Sequence, residues 1–292
     1  MRISGFLFTL FFSFLTTSVV HSAEKLVWMG CGISKKAYMG EMAKVYENKT
    51  GVQFRMAGGG ATKGIKLTAA GKADVGGSCR HKLLDIDGEA VADENVDMIH
   101  VGWDALAVVV NKNNAVDSIT TEQLKKIFNG DITNWEQVGG PQQPIRPLVR
   151  SGKISGVGYM FRKMVMEDSN FNFPEHSAFF SSSGPLERNL EKRKSLQYGI
   201  AVTGISSAKK TDLKVLKVNG VGPTKENIAN GSYPLFRPLY LTLNKNPSNS
   251  SKKFVQFVLD DDGQEIISDE GTVNLREGEK IAAIWRQKGW PL

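Results

Sequence analysis

The strongest constraint on the fold is a repeated unit: a short apolar strand, a turn rich in glycine and small residues, then an amphipathic helix. Lys25-Leu-Val-Trp-Met29 reads as a strand and Gly30-Cys-Gly-Ile-Ser34 as the turn. Lys36 to Lys49 then carries Tyr38, Met42, Val45 and Tyr46 at helical spacing. Gly51 ends that helix, because glycine takes the left-handed conformation at little cost. The unit starts again at Val52-Gln-Phe-Arg-Met56, followed by Gly58-Gly-Gly60 and a helix expected over 62–70. A third short strand, Ala73-Asp-Val-Gly76, runs into the loop Gly77-Ser-Cys-Arg80. Strands alternating with helices in this way imply an α/β fold with a parallel sheet.

Further on, Met98 to Val110 holds two β-rich runs around Trp103-Asp104. Ser118 or Thr120 is placed to cap a helix ending at Asn129-Gly130. Pro144 to Val149 reads as a strand, 150–158 as a loop and Tyr159 as near a helix start; Tyr198 to Thr203 is another strand. Tyr233 to Leu243 is extended but contains two prolines, which predicts an edge or a crossing strand. Helices are expected over 252–267 and 277–285.

Three loops share one chemistry: Gly30–Ser34, Gly58–Lys63 and Ser151–Val157. Each follows a strand and lies at or near a helix start, where unpaired backbone N–H groups and the helix dipole favour an anion. Arg80 and Arg150 adjoin such loops and could add a guanidinium fork. The chain has no paired-histidine metal motif, no nucleophile elbow and no phosphate loop ending in Gly-Lys-Ser/Thr. The reading is a small-anion site, with no catalytic set and no cofactor expected. His81, His100 and His176 stand alone in sequence and are expected to be structural or surface residues.

Residues 1–23 have the layout of a secretory signal: Arg2, an uncharged apolar run from Gly5 to Val20, then Ser22 and Ala23. The run is shorter than the ~20 residues of a membrane-spanning helix. Cleavage after Ser22 or Ala23 would deliver the chain to the periplasm or the exterior. It would remove one positive charge, Arg2, from a net +7. The remaining Lys and Arg residues are scattered rather than gathered in a stripe with aromatics, so no nucleic-acid partner is expected. Cys31 is not placed as a lipid acceptor, because Glu24 and Lys25 separate it from the apolar run. Two cysteines allow one bridge.

The order of motifs resembles the periplasmic phosphate-binding proteins of ABC transporters. Gly30-Cys-Gly-Ile-Ser34, Gly58-Gly-Gly-Ala-Thr-Lys-Gly-Ile-Lys66 and Ala73-Asp-Val-Gly-Gly-Ser-Cys-Arg80 look like that family's first three loops. The most specific stretch runs from Ala105 to Asn114 and through Ser118-Ile-Thr-Thr-Glu-Gln-Leu to Asn134-Trp135. Arg150 with Ser155-Gly156 looks like the family's arginine and the start of its Ser-Gly-Thr. The resemblance implies a type II periplasmic binding protein: two lobes joined by crossing strands, with a central ligand cleft. Lobe one would be 24–108 with 236–292, and lobe two 109–235. It implies a phosphate-like anion as ligand, and a permease of an ABC importer or a membrane sensor as partner. The ligand positions it suggests are Ser34, Ala61, Thr62, Cys79, Arg80, Arg150, Ser155, Gly156 and Val157.

The chain departs from the family pattern at several of these. Ala61 stands where a serine is usual, Val157 replaces the threonine of Ser-Gly-Thr, and one extra residue separates Arg150 from Ser155. Cys79 holds the place of an aspartate or serine. Each lost partner in a dry cleft would cost ~1–3 kcal/mol. Cys31 and Cys79 would face the same cleft, as a disulfide bracing its wall, as a thiol pair for a thiophilic ligand, or as two inert thiols.

Overall fold

The computed structural model describes residues 24–83 and 91–292. The proposed signal segment, 1–23, lies outside the described residues.

Strands β1 (Lys25–Gly30), β2 (Gln53–Gly58) and β3 (Val75–Ser78) are parallel, with Lys25 opposite Gln53 and Trp28 opposite Val75. Their carboxyl ends therefore lie side by side, and the glycine-rich turns emerge from one edge. Helix α1 (Gly32–Ser34) leaves the first turn and continues through a wide turn at Lys35–Met39 into α2 (Gly40–Thr50). That helix starts four residues before the expected Lys36. Helix α3 (Ala61–Ala69) leaves the second turn. It packs so closely on the sheet that a Cβ on Gly64 would sit 2.6 Å from the Met29 carbonyl oxygen. Helix α4 (Val91–Glu94) precedes the longest strand.

That strand, β4 (Val96–Val110), is one continuous element rather than two runs. It changes partners along its length. Val96 to Ala105 pair antiparallel with β11 (Phe236–Asn244), and Leu106 to Val110 pair antiparallel with β8 (Gly199–Gly204). Between these in sequence lie β5 (Ser118–Ile119), α5 (Thr121–Asn129), β6 (Arg146–Arg150), α6 (Gly156–Phe161), β7 (Ala178–Phe180) and α7 (Ser183–Lys192). Helix α8 (Ile205–Ala208), the short strands β9 (Lys214–Val215) and β10 (Lys217–Val218), and α9 (Lys225–Ala229) follow β8. β6, β7 and β8 run parallel, so a second row of strand ends carries a second set of loops. The sheet order is β2-β1-β3-β11-β4-β8-β6-β7, with β9 against β4.

Thr120 caps α5 in a full capping box with Gln123, which settles the choice between Ser118 and Thr120. Pro234 and Pro238 do not put β11 at an edge. The strand lies inside the sheet, but β3 reaches only Tyr240 to Thr242, so neither proline has a β3 partner that needs its missing N–H. The helix expected over 252–267 is two helices, α10 (Asn249–Leu259) and α11 (Asp261–Asp269), broken at Asp260. Asp260 takes an extended conformation, and Asp261 and Asp262 favour a new helix N-terminus. Gly263 permits the tight corner, since a Cβ there would meet the Phe257 carbonyl oxygen at 2.1 Å. The last helix is α12 (Glu279–Gln287).

Candidate anion site

The two rows of loops face each other across a cavity of about 300 Å³. From the β1–β3 side come Cys31, Gly32, Ile33, Lys36, Gly58 to Ala61 and Cys79. From the β6–β8 side come Arg150, Gly156, Val157, Ser182 to Gly184 and Ser207. The N-termini of α1, α3, α6 and α7 all open on this space. None of the four has a side-chain cap, whereas Thr120, Thr224 and Ser248 cap helices elsewhere. The first-turn amides of a helix have no partner inside it, so these four ends present donors to the cavity. Gly60, at the α3 cap, has φ +99°, a conformation that glycine takes readily.

Arg150 supplies the buried cation. Its Nη1 donates to Ser183 Oγ at 2.8 Å and its Nη2 to the Ser181 carbonyl at 2.6 Å, which leaves Nε buried without a partner. Burial pushes the guanidinium down to about 10, opposed by the Glu187 carboxylate and reinforced by Arg237. Lys36 Nζ reaches across to Ser207 Oγ at 2.7 Å and Glu187 Oε2 at 3.3 Å. Glu187 is already occupied by Thr203 and Ser207, so the carboxylate balances the cations from behind the wall. The surface offered to a ligand is thus rich in donors.

Cys31 and Cys79 are joined in a disulfide that forms part of the cavity wall. The bracing reading holds, and neither sulfur is free to take a thiophilic ligand. Gly156 packs against it: a Cβ there would lie 2.4 Å from Cys79 Sγ. The bridge closes a loop with a sequence separation of 48. Replacing both cysteines by alanine is expected to cost about 2–4 kcal/mol, seen as a lower melting temperature of the non-reduced protein. An unchanged melting curve would show that the bridge carries no stability.

The other anticipated residues divide. Ala61, Cys79, Arg150, Gly156 and Val157 line the cavity. Ser34 is fully buried one residue beyond Ile33, and its Oγ has no partner. Thr62 and Ser155 lie beside an adjoining cavity. Arg80 lines neither. Its guanidinium is completely buried and committed to Asp93 and to the His81 and Ile154 carbonyls. The fork expected to hold an anion is instead a brace: Arg80 Nε and Thr62 Oγ1, both from the β1–β3 side, donate across the cleft to the Ile154 carbonyl.

His81 adds to this clasp. Its Nδ1 lies 2.7 Å from the Lys82 carbonyl and must donate to it, so Nε2 is the acceptor for Lys163 Nζ at 3.2 Å. Burial pushes His81 and His100 down to about 4. The unfolded chain, with histidines near 6.5, binds protons that the folded one refuses. Stability is therefore full above pH ~6.5 and falls as pH drops toward 4. The urea midpoint should be lower at pH 5 than at pH 7, and equal midpoints would contradict this.

Sequence reasoning missed Ser182, Ser183, Gly184, Lys36, Glu187 and Ser207. The run Ser181-Ser-Ser-Gly184 has the same small-residue signature as the other loops and was there to be read. Nothing local marks the other three.

The family model described as a PBP superfamily domain matches residues 25–262. The phosphate-binding protein PstS of Borreliella burgdorferi is 31% identical over 182 residues. That match covers 60% of this chain and 64% of the relative's length. A phosphate ABC transporter substrate-binding protein from Clostridium perfringens, solved with bound phosphate, has a TM-score of 0.75 at 26% identity, covering 86% of this chain and 100% of that one. An ABC-type phosphate transport receptor from Vibrio cholerae gives 0.64 at 26% identity over the same shares. Parallel strand rows joined through β4 and β11 make the type II periplasmic-binding architecture, and the chain belongs to the PBP superfamily.

Proposed function

We propose that this protein captures phosphate outside the cytoplasm and delivers it to the permease of an ABC importer. The observation that carries the reading is the convergence of four uncapped helix N-termini and the buried Arg150 on one cavity. Such an arrangement binds an oxyanion through backbone donors and charge, with no step of chemistry. The names of the relatives point to the same ligand class and the same transport role. Among the described residues no helix is long and apolar enough to cross a membrane.

The ligand set we propose is Arg150, Ser183, the buried Ser34, and the first-turn amides after Cys31, Gly60, Ser155 and Ser182. The lobes we propose are 24–108 with 236–292, and 109–235. The change of ladder partner between Ala105 and Leu106 supports that division. Closure of the lobes about β4 and β11 would bury the ligand.

Thermal unfolding of the chain lacking residues 1–23 tests the reading. Phosphate at a hundred times its dissociation constant should add ~2.7 kcal/mol, visible as a raised melting temperature. Sulfate and molybdate serve as controls. No shift with phosphate would sink the proposal.

A further inference from the structure

A second cavity of about 400 Å³ adjoins the first. The two share Gly59, Gly60, Ala61 and Arg150, so they meet at the N-terminus of α3 and at the buried guanidinium. We propose that the site accepts a phosphoryl group bonded to a second anionic group, with diphosphate as the simplest member, the second group seated in this adjoining cavity. The inference rests on the phosphate reading of the first cavity.

The first observation is size. A single tetrahedral oxyanion fills about 150 Å³ if each heavy atom is given a water's ~30 Å³ share. The first cavity is about twice that, and the second more than doubles the space again.

The second observation is charge. Lys63 and Lys66 line the adjoining cavity one turn apart on α3, and neither ammonium group is in a hydrogen bond or ion pair with any described residue. Lys63 folds back over the helix start: a Cβ on Gly59 would lie 2.8 Å from its Cδ. No aspartate or glutamate is among the described residues that line this space.

The third is a buried donor with no protein partner. Arg150 is 6% exposed and lines both cavities, and its Nε has no partner. Ser155 Oγ, beside the second cavity, is also buried and unpaired. Two free ammonium groups, a helix N-terminus and an unpaired guanidinium N–H form a donor set with no carboxylate to balance it. One orthophosphate in the first cavity, held by Arg150 and the α3 amides, would leave both ammonium groups unused.

Isothermal titration with orthophosphate, diphosphate and glycerol 3-phosphate tests the inference on the wild type and on a Lys63→Ala/Lys66→Ala variant. Both lysines are exposed, so the variant should fold. The wild type should bind diphosphate about tenfold or more tighter than orthophosphate. The variant should lose about tenfold for diphosphate and less than about twofold for orthophosphate, in keeping with two exposed charge pairs. Glycerol 3-phosphate, whose tail is neutral, should match orthophosphate. Diphosphate binding no tighter than orthophosphate overturns the inference while the phosphate reading stands. So does an equal loss for both ligands in the variant, or a gain for glycerol 3-phosphate equal to that for diphosphate. Failure of all three ligands to bind would overturn both.

Discussion

Replacing Arg150 by methionine should cut phosphate affinity by about 2–5 kcal/mol, roughly thirty- to several-thousand-fold, with little loss of stability in the unliganded protein. The two halves of this expectation have separate causes. The ligand loses the one arginine that lines the cavity among the described residues, and the Ser183 hydroxyl loses the donor that fixes it. The unliganded fold loses a group that it holds at a cost, since burial and Arg237 both press on the charged form. Glu187 is not stranded by the change, because Lys36, Ser207 and Thr203 still donate to it. Buried charges exchanged for apolar side chains of similar length are often neutral or stabilising. Titration calorimetry and melting curves with and without phosphate separate the two effects. A variant that keeps the full phosphate-induced shift would remove Arg150 from the site.

The sequence made one half of the cavity more legible than the other, for a physical reason. β1 and β2 are long enough for alternation to register, and the glycines after them are conspicuous. β7 spans three residues, too short to show a period, so the loop after it went unread although its Ser-Ser-Gly has the right chemistry. The two arginines show a different limit. Arg80 and Arg150 look alike beside glycine-rich loops. They differ because Asp93, 13 residues away, occupies Arg80 from within the fold. A cation's availability depends on its partner, and partner choice is a tertiary property. Lys36, Glu187 and Ser207 belong to the same class: they meet across 151 and 171 residues of chain. The break at Asp260 was legible in principle, since three successive aspartates suit a helix start better than a helix interior.

Asp104→Ala should destabilise the protein by about 3–5 kcal/mol, a fall in melting temperature of roughly 10 °C for a chain of this size. Asp104 on β4 stands opposite Arg237 on β11, where the two crossing strands are paired. Both side chains are completely buried. Arg237 Nη2 donates to Asp104 Oδ2 at 3.0 Å, and its Nη1 donates to the Cys79 carbonyl at 2.9 Å. Asp104 Oδ1 accepts from the Ser206 hydroxyl at 2.6 Å, at the start of α8. The buried pair thus ties β4 to β11, to the disulfide loop through Arg237 and to a helix on the far side of the cleft through Asp104. Burial pulls the Arg237 pKa down, and Asp104 is what opposes it. Removing the carboxylate leaves a charge in a dry interior, which costs more than the pair contributes. The double variant Asp104→Leu/Arg237→Met should therefore recover most of the lost stability, and Asp104→Asn should fall between, keeping an acceptor without the charge. Guanidinium unfolding of the four proteins makes the comparison. A double variant no more stable than Asp104→Ala would show that the loss comes from the contacts of Asp104 with Ser206, not from an uncompensated arginine. The double variant should also bind phosphate more weakly, because the Cys79 carbonyl loses the arginine that holds the cavity wall in place.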